Sequence, residues 1–212
     1  MDSLTMKPED IETESFRIID SEAGSHGWSE NEWQVVRRAI HTSADFEYAA
    51  TMTFSDRAVA KAVETLKSGV GIVTDTTMAL AGISKVRLTS LGCRVSCYVA
   101  DNDVAELARQ ERVTRSIIAM RKAVADPLNS VFVIGNAPTA LFELLRLIRL
   151  GQASPKLIIG LPVGFVGAEE SKTALVESSS DPSFAFITNR GRKGGSNVAA
   201  AVVNALAIMA LN

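Results

Sequence analysis

Apolar positions along the chain follow two periods. In residues 29–41, Trp33, Val36 and Ile40 are spaced three and four apart, the repeat of one helix face. The start of that helix is specified locally. Ser29 and Glu32 form a capping box, and Trp28 and Trp33 occupy the positions of a hydrophobic staple. Residues 55–68 repeat the helical period and close at Gly69. Apolar runs of strand length lie at 72–75, 94–99, 130–134, 157–160 and 184–188. Between them fall a charged helical stretch at 104–125, a helix at 139–151, another beginning near Glu169, and an Ala-rich helix from 198 to the end. Strands alternating with helices require crossover connections and a sheet covered on both faces. The pattern therefore predicts an α/β fold, a three-layer α/β/α sandwich with a mostly parallel, doubly wound sheet of about five strands. Residues 48–54 alternate only weakly. Residues 1–14 read as a flexible arm and 15–212 as a single domain, in which Ser15-Phe16-Arg17-Ile18-Ile19 is the first segment able to dock.

Polar and glycine-rich turns gather where these strands end. The first runs into Thr74-Asp75-Thr76-Thr77, the third into Gly135-Asn136-Ala137-Pro138-Thr139, and the fourth into Leu161-Pro162-Val163-Gly164-Phe165-Val166-Gly167. The last leads to Asn189-Arg190-Gly191-Arg192-Lys193-Gly194-Gly195-Ser196-Asn197. In open α/β sheets the carboxyl edge is where ligands bind. In the last turn, glycines let backbone amides approach an anion, a helix offers its positive end, and Arg190, Arg192 and Lys193 add full charges. Phosphate or carboxylate would suit it, and so would service as a solvated basic cap. Neither the dinucleotide fingerprint nor the P-loop pattern is present.

Charge and composition narrow the chemistry. The 212 residues, 47% apolar and 22% charged, suit one domain with a sizeable core. A net charge of -2 leaves no footprint for nucleic acid, so an anionic ligand has to be held by local arginines. Cys93 and Cys97 read as reduced, strand-borne small hydrophobes rather than a zinc site. The acidic N-terminus does not resemble a secretory signal, and no apolar run approaches the roughly 18 residues of a membrane span. The expectation is a soluble cytoplasmic protein without nucleic-acid or membrane partners. Of the two histidines, His41 lies at the end of the first clear helix with Arg37 and Arg38 one turn back. An imidazole there can serve as acid or base, since its unperturbed pKa is roughly 6.5. It can equally be a boundary residue of the helix stripe.

The motifs Ile40-His41, Thr74-Asp75, Thr114-Arg115-Ser116, Ile134-Gly135-Asn136-Ala137-Pro138-Thr139-Ala140-Leu141, Pro162-Val163-Gly164-Phe165-Val166-Gly167-Ala168 with Glu170-Ser171-Lys172, and Gly191-Arg192-Lys193-Gly194-Gly195-Ser196 together resemble the precorrin-8X methylmutases, including the cobalt-precorrin-8 branch. The resemblance runs from about Ser15 to the C-terminus. It implies an isomerase of vitamin B12 synthesis that moves a methyl group from C-11 to C-12 of precorrin-8X or cobalt-precorrin-8, giving hydrogenobyrinate or cobyrinate. It further implies a homodimer with the tetrapyrrole bound near the subunit boundary, no dissociable cofactor and no metal ligands. By the same resemblance His41 is catalytic and Ser15, Arg38 and Arg115 contact the ligand. Asp75, Asn136, Thr139 and Arg192 join them through their places at the strand ends. Thr42-Ser43-Ala44 replaces the family's frequent Ala-Cys-Gly after the histidine, which bears on how the helix ends. A methyl shift within one molecule needs no methyl donor or redox carrier. A non-catalytic tetrapyrrole carrier on the same scaffold is the alternative, and a nucleotide-binding α/β protein a third; a carrier would keep the anion contacts but has no use for a positioned acid.

Overall fold

The structure is a computed structural model and describes residues 7–178 and 183–212. Among these residues six strands form one sheet: β1 (Met52–Phe54), β2 (Gly71–Thr74), β3 (Arg94–Ser96), β4 (Asn129–Ile134), β5 (Leu157–Gly160) and β6 (Ala185–Asn189). Their order is β1-β6-β5-β4-β2-β3, parallel throughout except that β1 runs antiparallel to β6. The five expected strands are all present. The sixth, β1, comes from the weakly alternating stretch; three residues are too few to display a period, and its pairing with β6 defines it instead. From β2 the chain builds β3 on one side and then β4, β5 and β6 on the other. The winding direction therefore reverses between β2 and β4, as in doubly wound sheets.

Both faces of the sheet are buried, so its strands are continuous apolar runs rather than alternating ones. Ile72, Val131, Val133, Ile159 and Ile187 face a layer made by α1 (Pro8–Ala23), α2 (Glu30–Ser43), α4 (Ala58–Lys67) and α11 (Ser196–Leu211). Val73, Phe132, Ile134, Ile158 and Phe186 face α8 (Arg115–Val124), α9 (Pro138–Arg149) and α10 (Ala168–Glu177). The remaining helices are α3 (Tyr48–Thr51), α5 (Thr77–Gly82), α6 (Lys85–Ser90) and α7 (Asn102–Glu111). Helix α11 is enclosed by the sheet, α2, α4 and α5, so its all-round apolarity is satisfied within one chain. No described helix is long and apolar enough to cross a membrane.

Two stretches depart from the pattern. The expected single helix at 104–125 is two helices, because Arg112 turns left-handed at φ 58° to end α7 and Thr114 restarts the chain by accepting from the Ile117 amide. Arg115 thus stands at the first turn of a new helix. At the other end, residues 8–14 of the expected arm belong to α1, which starts at Pro8 and docks on α2; residues 1–6 lie outside the described residues.

Helix α2, which carries His41, is fixed at both ends. Ser29 Oγ accepts from the Glu32 amide at 3.4 Å and Glu32 Oε2 accepts from the Ser29 amide at 3.1 Å, completing the capping box. The flanking indoles take partners of their own: Trp33 stacks on His26 at 3.9 Å and donates to Asp20, whereas Trp28 meets Phe54 and donates to the Ala49 carbonyl. Ala44 closes the helix at φ 53°, its amide donating to the Ile40 carbonyl, so the Thr42-Ser43-Ala44 sequence ends it without glycine. Ser29→Ala should cost about 1 kcal/mol of stability by urea unfolding while leaving the far-ultraviolet circular dichroism unchanged.

Candidate active site

The centre of the carboxyl edge is organised by a buried carboxylate. Asp75 follows β2 and is 1% exposed. Its Oδ1 accepts from the Gly135 amide at 2.9 Å, and its Oδ2 from the Asn136 and Ala137 amides at 2.8 and 2.7 Å. Burial pushes the carboxyl above its ordinary range, while these three donors act to keep it ionised. The bonds bend the chain after β4 across the end of β2, at the point where the winding reverses. Gly135 lets α11 come close: a Cβ there would lie 2.7 Å from the Ser196 Cα. Thr76 and Ser196 hydroxyls meet at 2.8 Å, seating the first turn of α11 beside Asp75.

On one side of that seat lies the end of α2. Asn197 donates to the Thr42 carbonyl at 3.4 Å, so His41 stands next to the start of α11. The imidazole is solvent-exposed and packs edge-on against Phe16 of α1, with centroids 5.3 Å apart. Arg37 and Arg38 lie over the same ring at 4.3 and 4.6 Å. Arg38 is held bidentately by Glu12 at 2.7 and 3.0 Å, and its guanidinium keeps that carboxyl below the usual carboxylate range. Ser15, one residue before Phe16, donates its hydroxyl to the Ile11 carbonyl. Asp45 faces away from this group toward Lys193, which raises the lysine further with help from Glu47.

The basic turn after β6 forms a second wall. Gly194 runs so close to β5 that a Cβ would collide with the Leu161 carbonyl, and the Gly195 amide donates to that carbonyl at 2.9 Å. Arg192 lies 5.7 Å from the ring of Phe165, which is 84% exposed beside Val166 at 89%. Beneath the turn, Lys172 of α10 is 1% exposed and burial pushes it down to about 8. Opposite, the hydroxyls of Thr114 and Thr139 meet at 3.1 Å, which sets the start of α8, with exposed Arg115, beside the start of α9.

A model of the precorrin-8X methylmutase family matches residues 10–209. Cobalt-precorrin-8 methylmutase from Priestia megaterium is 45% identical over 207 residues, covering 98% of this chain and 90% of the relative. That from Leptospira interrogans is 43% identical, covering 99% and 97%. The crystal structure of a precorrin-8X methylmutase from Thermus thermophilus superposes with a TM-score of 0.86 at 42% identity, covering 95% of this chain and 96% of that one. The chain belongs to the precorrin-8X methylmutase family. It is an isomerase of corrin biosynthesis.

Against that family background, the residues singled out in the sequence fall into three groups. Ser15, Arg38 and His41 come together where α1 crosses α2. Asn136, Thr139 and Arg115 line the opposite half of the edge, and Arg192 stands on the wall between. Asp75 stands apart from these groups: it is 1% exposed, and both its oxygens accept from backbone amides, which gives it a role in shaping the turn. Glu12, Phe16 and Lys172 were missed. The first two are visible only when α1 docks, but Lys172 carries a signal, since Ala168, Ser171, Lys172 and Leu175 form one buried helical stripe. Replacing Asp75 with Ala would strand three amides and should lower stability by about 3 kcal/mol or more, read as a lower urea midpoint, with Asp75→Asn intermediate.

Proposed function

We propose that this isomerase moves the methyl group from C-11 to C-12 of precorrin-8X or cobalt-precorrin-8 in the cytoplasm, with His41 as the proton donor. The observation that carries the assignment is the setting of His41: an exposed imidazole at the end of a doubly capped helix, with Arg38 one turn back and the Asn197 side chain of α11 bonded to the neighbouring Thr42 carbonyl. Protonation or hydrogen bonding of the conjugated ring system beside the migration terminus makes that carbon more electron-poor and promotes a [1,5] shift. A general acid contributes on the order of 10²- to 10⁴-fold, or about 3 to 5 kcal/mol. Further acceleration comes from fixing the macrocycle's geometry.

The peripheral acetates and propionates require cations and amides. Arg38, Arg115 and Arg192 supply the former, and Ser15, Asn136 and Thr139 the hydrogen bonds between them. The substrate's carboxylate would take the place of Glu12 on Arg38. His41→Ala should abolish turnover, followed by the absorbance change of the corrin, while product affinity stays within about tenfold, or 1.4 kcal/mol. Near-normal turnover would remove His41 from the acid's role.

The active form, in this reading, is a homodimer with shared sites. Within one chain α2 and α8 lie on opposite faces of the sheet, so His41 and Arg115 approach the edge from opposite sides. Phe165, Val166, Met78 and Val86, all at least 70% exposed, offer an apolar surface that a second copy would cover. If the two residues serve one site from different chains, mixing inactive His41→Ala and Arg115→Ala subunits should restore about a quarter of the sites after exchange, because half the dimers are mixed and one site in each is intact. Activity that sediments with a monomer, or exchange without recovery, contradicts the sharing.

A further inference from the structure

Lys172 has no part in the chemistry so far, yet its burial calls for a reason. An ammonium withdrawn from water is costly unless its hydrogen bonds are replaced. Among the described residues no carboxylate lies within ion-pairing distance of it; Glu169, on its own helix, acts only through space. Its Nζ donates instead to the Lys193 carbonyl at 2.6 Å and to Asn189 Oδ1 at 3.2 Å. Asn189, itself 1% exposed, donates to the same Lys193 carbonyl at 2.9 Å and to the Arg190 carbonyl at 3.1 Å. Every one of these bonds is directed at one turn. Methionine would fill the same volume, so packing alone does not explain an amine here.

The Lys193 carbonyl is a central point of that turn. Arg192 precedes it, and its own carbonyl accepts from the Gly164 amide at 3.2 Å. Two residues later the Gly195 amide is anchored and the free amides of α11 begin. The Lys193 side chain, meanwhile, binds Asp45 and Glu47 in the segment that follows His41. A shift of this one peptide would redirect all three.

We propose that Lys172 is a positioning residue of the methylmutase reaction, holding the 190–193 turn so that Arg192 and the first amides of α11 meet the substrate's carboxylates. The inference rests on the reading that this turn binds substrate.

The test is steady-state kinetics on the full chain with precorrin-8X, together with binding of the product hydrogenobyrinate. Loss of positioning weakens ground state and transition state alike, so Lys172→Met should raise KM and the product Kd about tenfold while kcat stays within about threefold. A merely structural lysine would lower the thermal midpoint and the active fraction without moving KM. In the Lys172→Met/Arg192→Ala protein the combined rise should fall short of the product of the two single effects, because both act through one turn. Unchanged KM and product Kd in folded Lys172→Met overturn the proposal, as does full multiplicativity in the double variant. Should Lys172→Met not fold, Asn189→Ser removes the other donor to the same carbonyl and should raise KM about threefold; no rise would overturn the proposal equally. Arg192→Ala alone decides the separate question of the arginine: an unchanged KM removes Arg192 from the site and leaves Lys172 to be judged by its own variant.

Discussion

The bonding of one carboxylate to three amides underlies the arrangement of this molecule. Asp75 joins the end of β2 to the turn after β4, the place where a doubly wound sheet opens a crevice. Three charge-assisted bonds at about 1.5 to 3 kcal/mol apiece, before any allowance for burial, suffice to hold a turn that has no regular structure of its own. With the turn fixed, Gly135 presents a surface without a side chain, and α11 can seat its first residue against it. Helix α2 then packs on α11, and the imidazole at its end is positioned relative to the sheet through two successive contacts. The base of the sheet's carboxyl edge is thus filled by the protein itself, and α1, α2 and the turns form its rim.

The fold was legible where burial is symmetrical. Strands covered on both faces appear as short apolar runs, and β2, β4, β5 and β6 all have that form. β1 and the break at Arg112 were hidden for the same reason: each is decided by a partner or by a backbone angle at one residue, and neither leaves a period. In the site, the helical spacing of Arg38 and His41 was sufficient to group them. Asp75 shows the limit. A carboxylate at a strand end can receive a ligand or receive backbone amides, and the two are identical in sequence; only the return of the chain at residues 135–137 separates them. Lys172 lay within reach, because a lysine in register with Ala168, Ser171 and Leu175 has to be either buried or disruptive.

Cations at the rim come in two states. Arg37, Arg38 and Lys193 are each held by a carboxylate from another element, and these pairs fasten α1 and the 190–195 turn to α2 and its extension. Arg115 and Arg192 have no carboxylate within ion-pairing distance among the described residues and stand exposed. A protein with a slight net negative charge can in this way present local positive charge without a basic surface. The paired cations tie the elements of the rim to one another, while the exposed pair adds local positive charge with no carboxylate set against it.

The sheet's outer strands, β1 and β3, contain only three residues each, and β3 carries an exposed arginine, Arg94, tied to Asp126. Unpaired strand edges are the usual template for aggregation and for strand addition between molecules. Here the available edges are too short to offer more than a bond or two, so a second chain gains little by extending the sheet. Self-association along the strand-pairing direction is thereby disfavoured at both margins, and the sheet can remain six strands wide in a crowded solution without recruiting a seventh.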